Sequence, residues 1–232
     1  KGFRPDFRLI GEIYAIGLPS VIMIAIGSVM TFLMNKILIT YHAAHETAAT
    51  AFGTYFKLNS FIFMPVFGMN NGVVPIVAYN YGAQNRRRMV ETIKRGALYA
   101  SCIMVFGTIL FWAIPGPLLK IFDASDTLLS VGIPALRIIS LSFCMAGASI
   151  ALGSSFQALG KSFYSMITSI VRQLVFLIPI AYVLARYGVS VGNSDLVWWS
   201  YPVAEVFSLV LTLAFFRRLY KTIIAPLPEG RE

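Results

Sequence analysis

Two charged residues lie deep inside apolar stretches, where they could bind or exchange an ion. Arg172 occurs in SIVRQLVFLIP and Glu205 in WWSYPVAEVF. A charged side chain costs at least ~2.5 kcal/mol in hydrocarbon, so each residue needs a partner, water or a function. Two roles fit them: a coupling role in transport, or an ion pair that locks helices together. The sequence leaves both roles open.

The predicted depths of these residues bear on whether they can pair. At ~1.5 Å per helical residue, Glu205 lies roughly a third of the way in from the outer face, and Arg172 lies a similar distance in from the inner face. We therefore expect a pair only if the arginine reaches outward or a water molecule lies between the two groups.

Uncharged polar residues within the apolar stretches form a second signal. Asn35, Asn59 and Asn70 predict a cavity that faces them, because an amide left unpaired in lipid is costly. Ser149 recurs among small residues of the fourth stretch. Ser165, Thr168, Ser169 and Arg172 also recur at helical spacing, which predicts a polar helix face. Small and hydroxyl residues also serve simple packing, as at the GxxxG spacing of Gly68 and Gly72.

Three other charged residues, Lys36, Lys57 and Arg137, lie near the predicted outer ends of their stretches. Their long side chains can reach the membrane interface while their carbon stems stay in lipid. We expect no functional role for these three.

Potential metal ligands are sparse in this sequence. His42, His45 and Glu46 share the segment HAAHE, which we interpret as a solvated outer loop. Cys102 and Cys144 occur in different apolar stretches without a paired spacing, so we expect small-residue packing. No nucleophile elbow, phosphate loop or metalloprotease HExxH is found, so we expect neither an enzyme nor a bound cofactor or metal.

Composition indicates that lipid is the main solvent. The 232 residues are 57% hydrophobic and 12% charged, against about one-quarter charged in soluble domains. A helix needs about 20 apolar residues to cross a hydrocarbon core, and the sequence contains six stretches of that kind. These stretches lack the alternation of apolar and polar residues that is typical of membrane strands. We therefore predict an all-α polytopic membrane protein with six transmembrane helices, and expect the second and fourth to tilt or bend. The predicted spans are 18–40, 54–81, 96–114, 134–159, 165–186 and 197–216.

Loop charges predict the orientation. Thirteen basic residues, including Lys1, Arg4 and Arg231, fall on one side, which the positive-inside rule makes cytoplasmic, together with both termini. We divide the chain into a cytoplasmic linker and amphipathic lead-in (1–17), a six-helix lobe (18–216) and a cytoplasmic tail (217–232). These basic residues lie at membrane boundaries without interleaved aromatic residues, so nucleic-acid binding is not expected.

The segment PIVAYNYGAQNRRR, residues 75–88, marks the cytoplasmic end of the second helix. Gly82 suits a left-handed helix end. The arginines Arg86, Arg87 and Arg88 would favour the negative end of the helix dipole.

Six segments together resemble the multidrug and toxic compound extrusion (MATE) family over nearly the whole chain. They are LPSVI (18–22), FIFMPVFGMNNGVVP (61–75), PIVAYNYGAQNRRR (75–88), SSFQALGKS (154–162), VRQLVFLIPIAYVLARYGVSVGN (171–193) and WWSYPVAE (198–205). The resemblance is to the carboxy-terminal six-helix half. It implies a twelve-helix transporter whose two lobes enclose a cavity and rock to export organic cations or drugs in exchange for protons or sodium.

The resemblance also implies where ligands bind. By position, Asn35, Asn59, Asn70 and Ser149 lie on helices that would line the family's cavity, so the resemblance makes them candidate substrate-binding residues. Family members that hold the coupling cation in this lobe use carboxylates in its first and fourth helices, but 18–40 and 134–159 contain no Asp or Glu. We therefore expect the coupling-ion site to lie outside this lobe, with Glu205 as its one embedded acid. The expected partners are a missing amino-terminal lobe or a second copy, the bilayer of a cell inner membrane, and small organic cations. The alternatives are a lipid-linked oligosaccharide or precursor flippase of related fold, and a non-transporting scaffold or truncated remnant.

Overall fold

Short turns connect the helices that make up the described part of the chain. The computed structural model describes residues 7–229, except for the side chains of Leu9, Glu12, Ile13, Ala15 and Ile16. No strand occurs within this range. The α-helices are α1 (Phe7–Tyr41), α2 (His45–Gly82), α3 (Arg86–Ala113), α4 (Pro115–Lys120), α5 (Asp126–Ser140), α6 (Phe143–Ala158), α7 (Ser162–Ile170), α8 (Ile178–Val191) and α9 (Ser200–Leu219). Val171–Leu177 and Tyr220–Ile224 are π-helical, and Ser194–Trp199 is a 3-10 helix.

Up to six of these helical segments can cross a membrane, judged by length and composition. Five continuous runs qualify: Gly17–Tyr41, His45–Gly82, Arg86–Ala113, Ser162–Val191 and Ser194–Ile224. Asp126–Ser140 and Phe143–Ala158 together supply the sixth, with a bend of 50° between them. The predicted all-α fold is confirmed. The six predicted spans are matched when the bent pair counts as one span.

The bend between α5 and α6 has identifiable hydrogen bonds. Carbonyl groups in the last turn of a helix lack partners within that helix. Thr108 of α3 donates its hydroxyl proton to the Ser140 carbonyl at 2.9 Å, and the Trp112 indole donates to the Arg137 carbonyl at 3.1 Å. Helix α3 therefore stabilises the break that we expected in the fourth span.

Several helices extend past the predicted boundaries. Helix α1 runs through position 17 without a break, and α9 continues past 216 into the π-helical turns. Helix α2 begins at His45 instead of Thr54, because the stretch before Thr54 is rich in alanine, the best helix former. Lys1, Arg4 and Arg231, part of the predicted cytoplasmic charge, lie outside the described residues.

The turn between α2 and α3 corrects two expectations. The left-handed residue is Gln84, with φ of 54°, and not Gly82, which closes α2. The arginines Arg86 to Arg88 belong to the first turn of α3 and do not extend α2. Positive charge is unfavourable at a helix N-terminus. Asn85 offsets this in part by accepting the Arg88 amide proton at 3.1 Å.

Close contacts between α3 and its neighbours depend on glycine. A Cβ atom on Gly147 would lie 3.0 Å from the Ala100 carbonyl oxygen, and one on Gly107 would collide with Ile62. At Gly68 and Gly72, by contrast, an added Cβ atom would meet nothing within 4 Å. The GxxxG spacing therefore does not bring helices together within the described residues.

Candidate binding cavity

A cavity of about 690 Å³ lies between α2, α6, α7, the π-helical segment 171–177 and α9. That volume falls within the ~300–1,000 Å³ typical of small-molecule sites. Its walls combine aromatic rings with amide and hydroxyl groups. The predicted polar face of the fifth span, Ser165, Thr168, Ser169 and Arg172, lines it.

Arg172 and Glu205 meet in this cavity. Nη1 of Arg172 lies 3.7 Å from Oε2 of Glu205, and their side chains are 28% and 9% exposed. At about 4 Å and an effective dielectric of about 20, the Coulomb attraction is ~4 kcal/mol before desolvation is counted. Desolvation offsets much of this attraction. The arginine thus reaches Glu205 directly, which is the first of the two arrangements we expected.

Several polar atoms around this ion pair lack hydrogen-bond partners. Ser149 is a neighbour of the Glu205 carboxyl group. Nevertheless Ser149 Oγ, Glu205 Oε1, Asn59 Oδ1 and the Tyr201 hydroxyl are buried without a partner within the described part of the chain. A buried polar atom without a hydrogen bond costs ~1–3 kcal/mol. Each of these four atoms is enclosed by protein, so a ligand would reach one only if neighbouring side chains moved.

Five of the six predicted site residues line the cavity. They are Asn59, Asn70, Ser149, Arg172 and Glu205. Asn70 lies against α6, with its Oδ1 atom 3.4 Å from Ser154 Oγ, whose hydroxyl proton goes to the Ala151 carbonyl at 2.7 Å.

Asn35 is not among the residues that line the cavity. Its Oδ1 atom is buried without a hydrogen-bond partner among the described residues. Position along α1 explains the difference, because Met23, Ile24 and Met30 are the α1 residues that reach the cavity.

Two tyrosines of the cavity were missed by the sequence analysis. Tyr55 and Tyr201 line it, and their ring centroids are 6.1 Å apart in an edge-to-face arrangement. Tyr201 lies one helical turn before Glu205, and this i, i+4 spacing was the available signal. Tyr55 lies one turn before Asn59 in the same way.

The interpretation of HAAHE as a solvated loop is wrong for His42. This residue is 5% exposed, and its Nδ1 accepts the Ala44 amide proton at 3.1 Å. Its Nε2 lies 3.8 Å from Asp195 Oδ1, and its ring packs on Trp198. The turn before α2 therefore packs on the segment before α9. His45 and Glu46 are exposed at the start of α2.

Five other residues singled out in the sequence do not line the cavity: Lys36, Lys57, Arg137, Cys102 and Cys144. Lys36, Lys57 and Arg137 are exposed, and the Lys57 ammonium lies 5.6 Å from the centre of the Phe122 ring. Cys102 and Cys144 are free and exposed, so the expected packing role is not observed. Among the described residues, no group of three His, Cys, Asp or Glu side chains could hold a metal ion.

Comparison with protein families decides the assignment. The MatE family model matches residues 19–183, which is more than half of the chain. The chain belongs to the MatE family. It is thus a multi-pass membrane protein of the MATE multidrug efflux transporter family.

Relatives of this MatE chain are named as drug exporters. It is 26% identical over 215 residues to a multidrug export protein MepA of Staphylococcus haemolyticus, covering 92% of this chain and 45% of that protein. A MepA of Staphylococcus aureus is 26% identical over 203 residues, which cover 87% of this chain and 43% of that protein. The chain therefore spans less than half the length of these curated relatives.

Solved structures show the same fold. A transporter of the MOP superfamily from Pyrococcus furiosus superposes with a TM-score of 0.86 at 20% identity, over 95% of this chain and 49% of that one. An outward-facing multidrug resistance MATE family transporter superposes with a TM-score of 0.86 at 19% identity, over 96% of this chain and 49% of that one. At these identities the likeness concerns the fold.

Proposed function

We propose that this chain is the carboxy-terminal lobe of a secondary active multidrug antiporter that exports organic cations or drugs in exchange for protons or sodium ions. The observation that carries the proposal is the cavity, in which an ion pair, unpartnered polar atoms and aromatic rings meet. Such a surface can hold flat organic ions by cation–π contact, apolar contact and hydrogen bonds.

Asn59, Asn70 and Ser149 are the proposed substrate contacts, with Asn35 outside the cavity that they line. Arg172 and Glu205 form the network that senses bound ions. Coupling requires that each ligand bind the inward-open and outward-open states unequally. The pair lines the cavity, so rocking of the lobes would change what faces it, and this supplies such a difference.

The proposed partner is a second six-helix lobe, either an amino-terminal one or a second copy of this chain. A wall with this many polar atoms is unfavourable against lipid, so an opposing lobe would close it. The match to about half of each relative supports this arrangement. We place the lobe in a cell inner membrane with both ends cytoplasmic, on the strength of the loop charges.

Counterflow of a fluorescent organic cation into proteoliposomes tests the transport proposal. We expect uptake that depends on a proton or sodium gradient when the chain is joined to a first lobe, and none from the chain alone as a monomer. A scaffold would show no counterflow in either form.

Two variants separate a coupling role from a structural one. If Arg172 and Glu205 couple ions to drug movement, Arg172→Ala and Glu205→Gln still give folded protein, although with a lower melting temperature, and lose gradient dependence. Loss of folded protein in both variants would instead assign the pair a structural role.

Orientation is tested by labelling single cysteines in a background without Cys102 and Cys144. Val191→Cys and Lys221→Cys, at opposite ends of the lobe, are both exposed positions. We expect an impermeant thiol reagent added to intact cells to label the first and not the second. The reverse pattern would overturn the proposed orientation.

A further inference from the structure

Helix α3 has an exposed apolar face that becomes basic at one end. Leu98, Phe106 and Ile109 recur on this face at helical spacing, and each is exposed. On the same face, Lys94 and Arg88 are exposed one and three turns before Leu98. Every residue of α3 is described by the structure, and none lines the cavity. The face therefore points away from the cavity, and within a bilayer it meets lipid chains.

Helix α9 repeats this pattern with the opposite chain direction. Its exposed apolar residues Val206, Val210 and Leu213 are followed one turn later by Arg217 and then by Lys221, and both of these cations are exposed. None of these five residues lines the cavity, although the opposite face of α9 does. Two lipid-facing helices thus end in exposed cations.

The two basic ends lie next to each other. Both helices pack on α6. The Arg86 guanidinium at the start of α3 donates to the Ala225 carbonyl, which directly follows the π-helical turns after α9. Apolar side chains of α3, α6 and α9, among them Ile93, Phe156 and Leu219, form one buried cluster between them. We refer to five exposed residues of these ends as the basic flank: Arg88, Lys94, Arg217, Arg218 and Lys221.

The basic flank carries positive charge that residues 7–229 do not neutralise. Within that range, none of its five side chains has a carboxylate at ion-pair distance. The nearby acids Glu91 and Glu229 are paired with Arg95 and Arg86 instead. Arg88 also lies in the first turn of α3, which contains no acidic residue, although a helix N-terminus favours negative charge. An anion beside Arg88 would therefore offset both the guanidinium and the helix dipole.

The heights of these cations match the headgroup layer of a bilayer. Lys94 and Arg217 each lie one turn beyond the last large exposed apolar residue of their helix, at the edge of the hydrocarbon. Arg88 lies ~9 Å further out along α3, and Lys221 ~6 Å further out along α9, at ~1.5 Å per residue. A headgroup layer is roughly 5–8 Å thick on each side of the hydrocarbon core. The cations therefore span the layer that holds lipid phosphates.

We propose that the basic flank binds the phosphate of an anionic phospholipid whose acyl chains lie along the apolar faces of α3 and α9. The proposal goes beyond drug transport and does not depend on it. In the proposed orientation this lipid belongs to the cytoplasmic leaflet. The apolar faces distinguish a lipid from a soluble phosphate, which would gain nothing from them. Each cation near an anionic headgroup contributes about fivefold in affinity, so two contacts favour an anionic over a zwitterionic lipid by about 25-fold.

Two fluorescent lipids with the same dye on an acyl chain, a phosphatidylglycerol and a phosphatidylcholine, test this proposal. They share the apolar part and differ in the charge of the headgroup. Binding of each lipid to the purified full chain in micelles of an uncharged detergent is measured by fluorescence anisotropy. The measured quantity is the ratio of the two dissociation constants, phosphatidylcholine over phosphatidylglycerol. We expect a ratio of at least ~10 for the wild-type chain.

Removal of cations from the basic flank should lower this ratio. The flank variant combines Arg88→Gln, Lys94→Gln and Arg217→Gln. We expect its ratio to be about fivefold or more below that of the wild-type chain, through weaker binding of phosphatidylglycerol. An unchanged ratio in this variant overturns the proposal.

The matched control removes three exposed cations from the other end of the lobe. It combines Lys36→Gln, Lys120→Gln and Arg137→Gln. Both variants have the same net charge, so the control should keep the wild-type ratio if the basic flank is the binding site. An equal fall of the ratio in both variants would assign the preference to net charge and overturn the proposal.

Two further results bear on the proposal. A wild-type ratio near one overturns it. Glycerol 3-phosphate, a soluble phosphate ester, should not displace the labelled phosphatidylglycerol at equal concentration, and displacement would replace the lipid by a soluble anion as the ligand. If the flank variant does not fold, Lys94→Gln alone decides the matter, with an expected fall of about twofold to fivefold.

Discussion

Nη1 of Arg172 lies 3.7 Å from Oε2 of Glu205, and this contact joins the π-helical segment 171–177 to α9. The guanidinium is partly exposed to the cavity, whereas the carboxylate is buried. Loss of Arg172 would leave the buried Glu205 carboxylate without its partner, whereas loss of Glu205 would leave a guanidinium that is partly exposed. We therefore expect loss of Arg172 to cost more stability than loss of Glu205.

The first prediction concerns the stability of this pair. Glu205→Gln and Arg172→Gln should each lower the melting temperature of the detergent-solubilised chain, and the double variant should lose less than the sum of the two. Breaking a buried pair costs ~3–5 kcal/mol, and the partial exposure of Arg172 puts Glu205→Gln at the low end. Fluorescence-detected size exclusion after heating measures the shifts. Strictly additive shifts would mean that the two residues do not interact.

The second prediction concerns the contact between α3 and α6. Gly147→Ala places a methyl group 2.9 Å from Met104 Cγ and 3.0 Å from the Ala100 carbonyl oxygen. Since a backbone oxygen cannot rotate away, we expect a loss of ~1–3 kcal/mol, as for other overpacked sites. Thermal unfolding in detergent measures it. Gly153→Ala in the same helix meets nothing within 4 Å and should be neutral or stabilising. Equal losses in both variants would contradict the packing argument.

The third prediction concerns the buried histidine. His42→Ala removes the acceptor of the Ala44 amide proton and the ring that packs on Trp198. We expect a loss of ~1–3 kcal/mol from the unpaired amide and the lost packing. The exposed His45 serves as control. His45→Asn keeps a residue that tolerates the positive φ of 41° and loses only an exposed hydrogen bond to the Ile39 carbonyl at 2.9 Å, so we expect a smaller loss of ~0.5–1 kcal/mol. A melting temperature unchanged by His42→Ala would argue for a solvated turn.

The fourth prediction concerns the segment after α9. Arg86 donates to the Ala225 carbonyl at 3.1 Å and to Glu229 Oε1 at 2.7 Å. Arg86→Gln should therefore speed amide hydrogen exchange in 225–229 without a large change in melting temperature, since exposed ion pairs contribute at most ~1 kcal/mol. Hydrogen exchange with mass spectrometry measures the effect. Arg95→Gln, which breaks the exposed pair with Glu91 on α3 itself, should leave 225–229 unchanged.

Most of the fold was predictable because lipid imposes a simple rule. Backbone groups in hydrocarbon must bond within their own segment, so long apolar runs become helices whatever their neighbours are. Helix ends were less predictable. Alanine-rich turns extended α2 back to His45, and Gln84 took the left-handed position that Gly82 suited.

The candidate site was predictable in part. Asn59, Asn70, Ser149, Arg172 and Glu205 were identified because polar groups are costly in lipid, and all five line one cavity. Asn35 is also a polar residue in an apolar stretch, but it does not line the cavity. The cost of a polar group in lipid does not indicate which neighbouring helix that group faces. Tyr55 and Tyr201 were overlooked because aromatic residues are common throughout apolar helices.

By itself, the sequence determined that the chain is a membrane-embedded helical protein of the MATE kind, because hydrophobic length and segment order are local properties. The tertiary structure decided which residues meet. The Arg172 to Glu205 distance, the burial of His42 and the close approach at Gly147 each depend on how separate helices pack, and packing is a property of three-dimensional contacts between residues far apart in the chain.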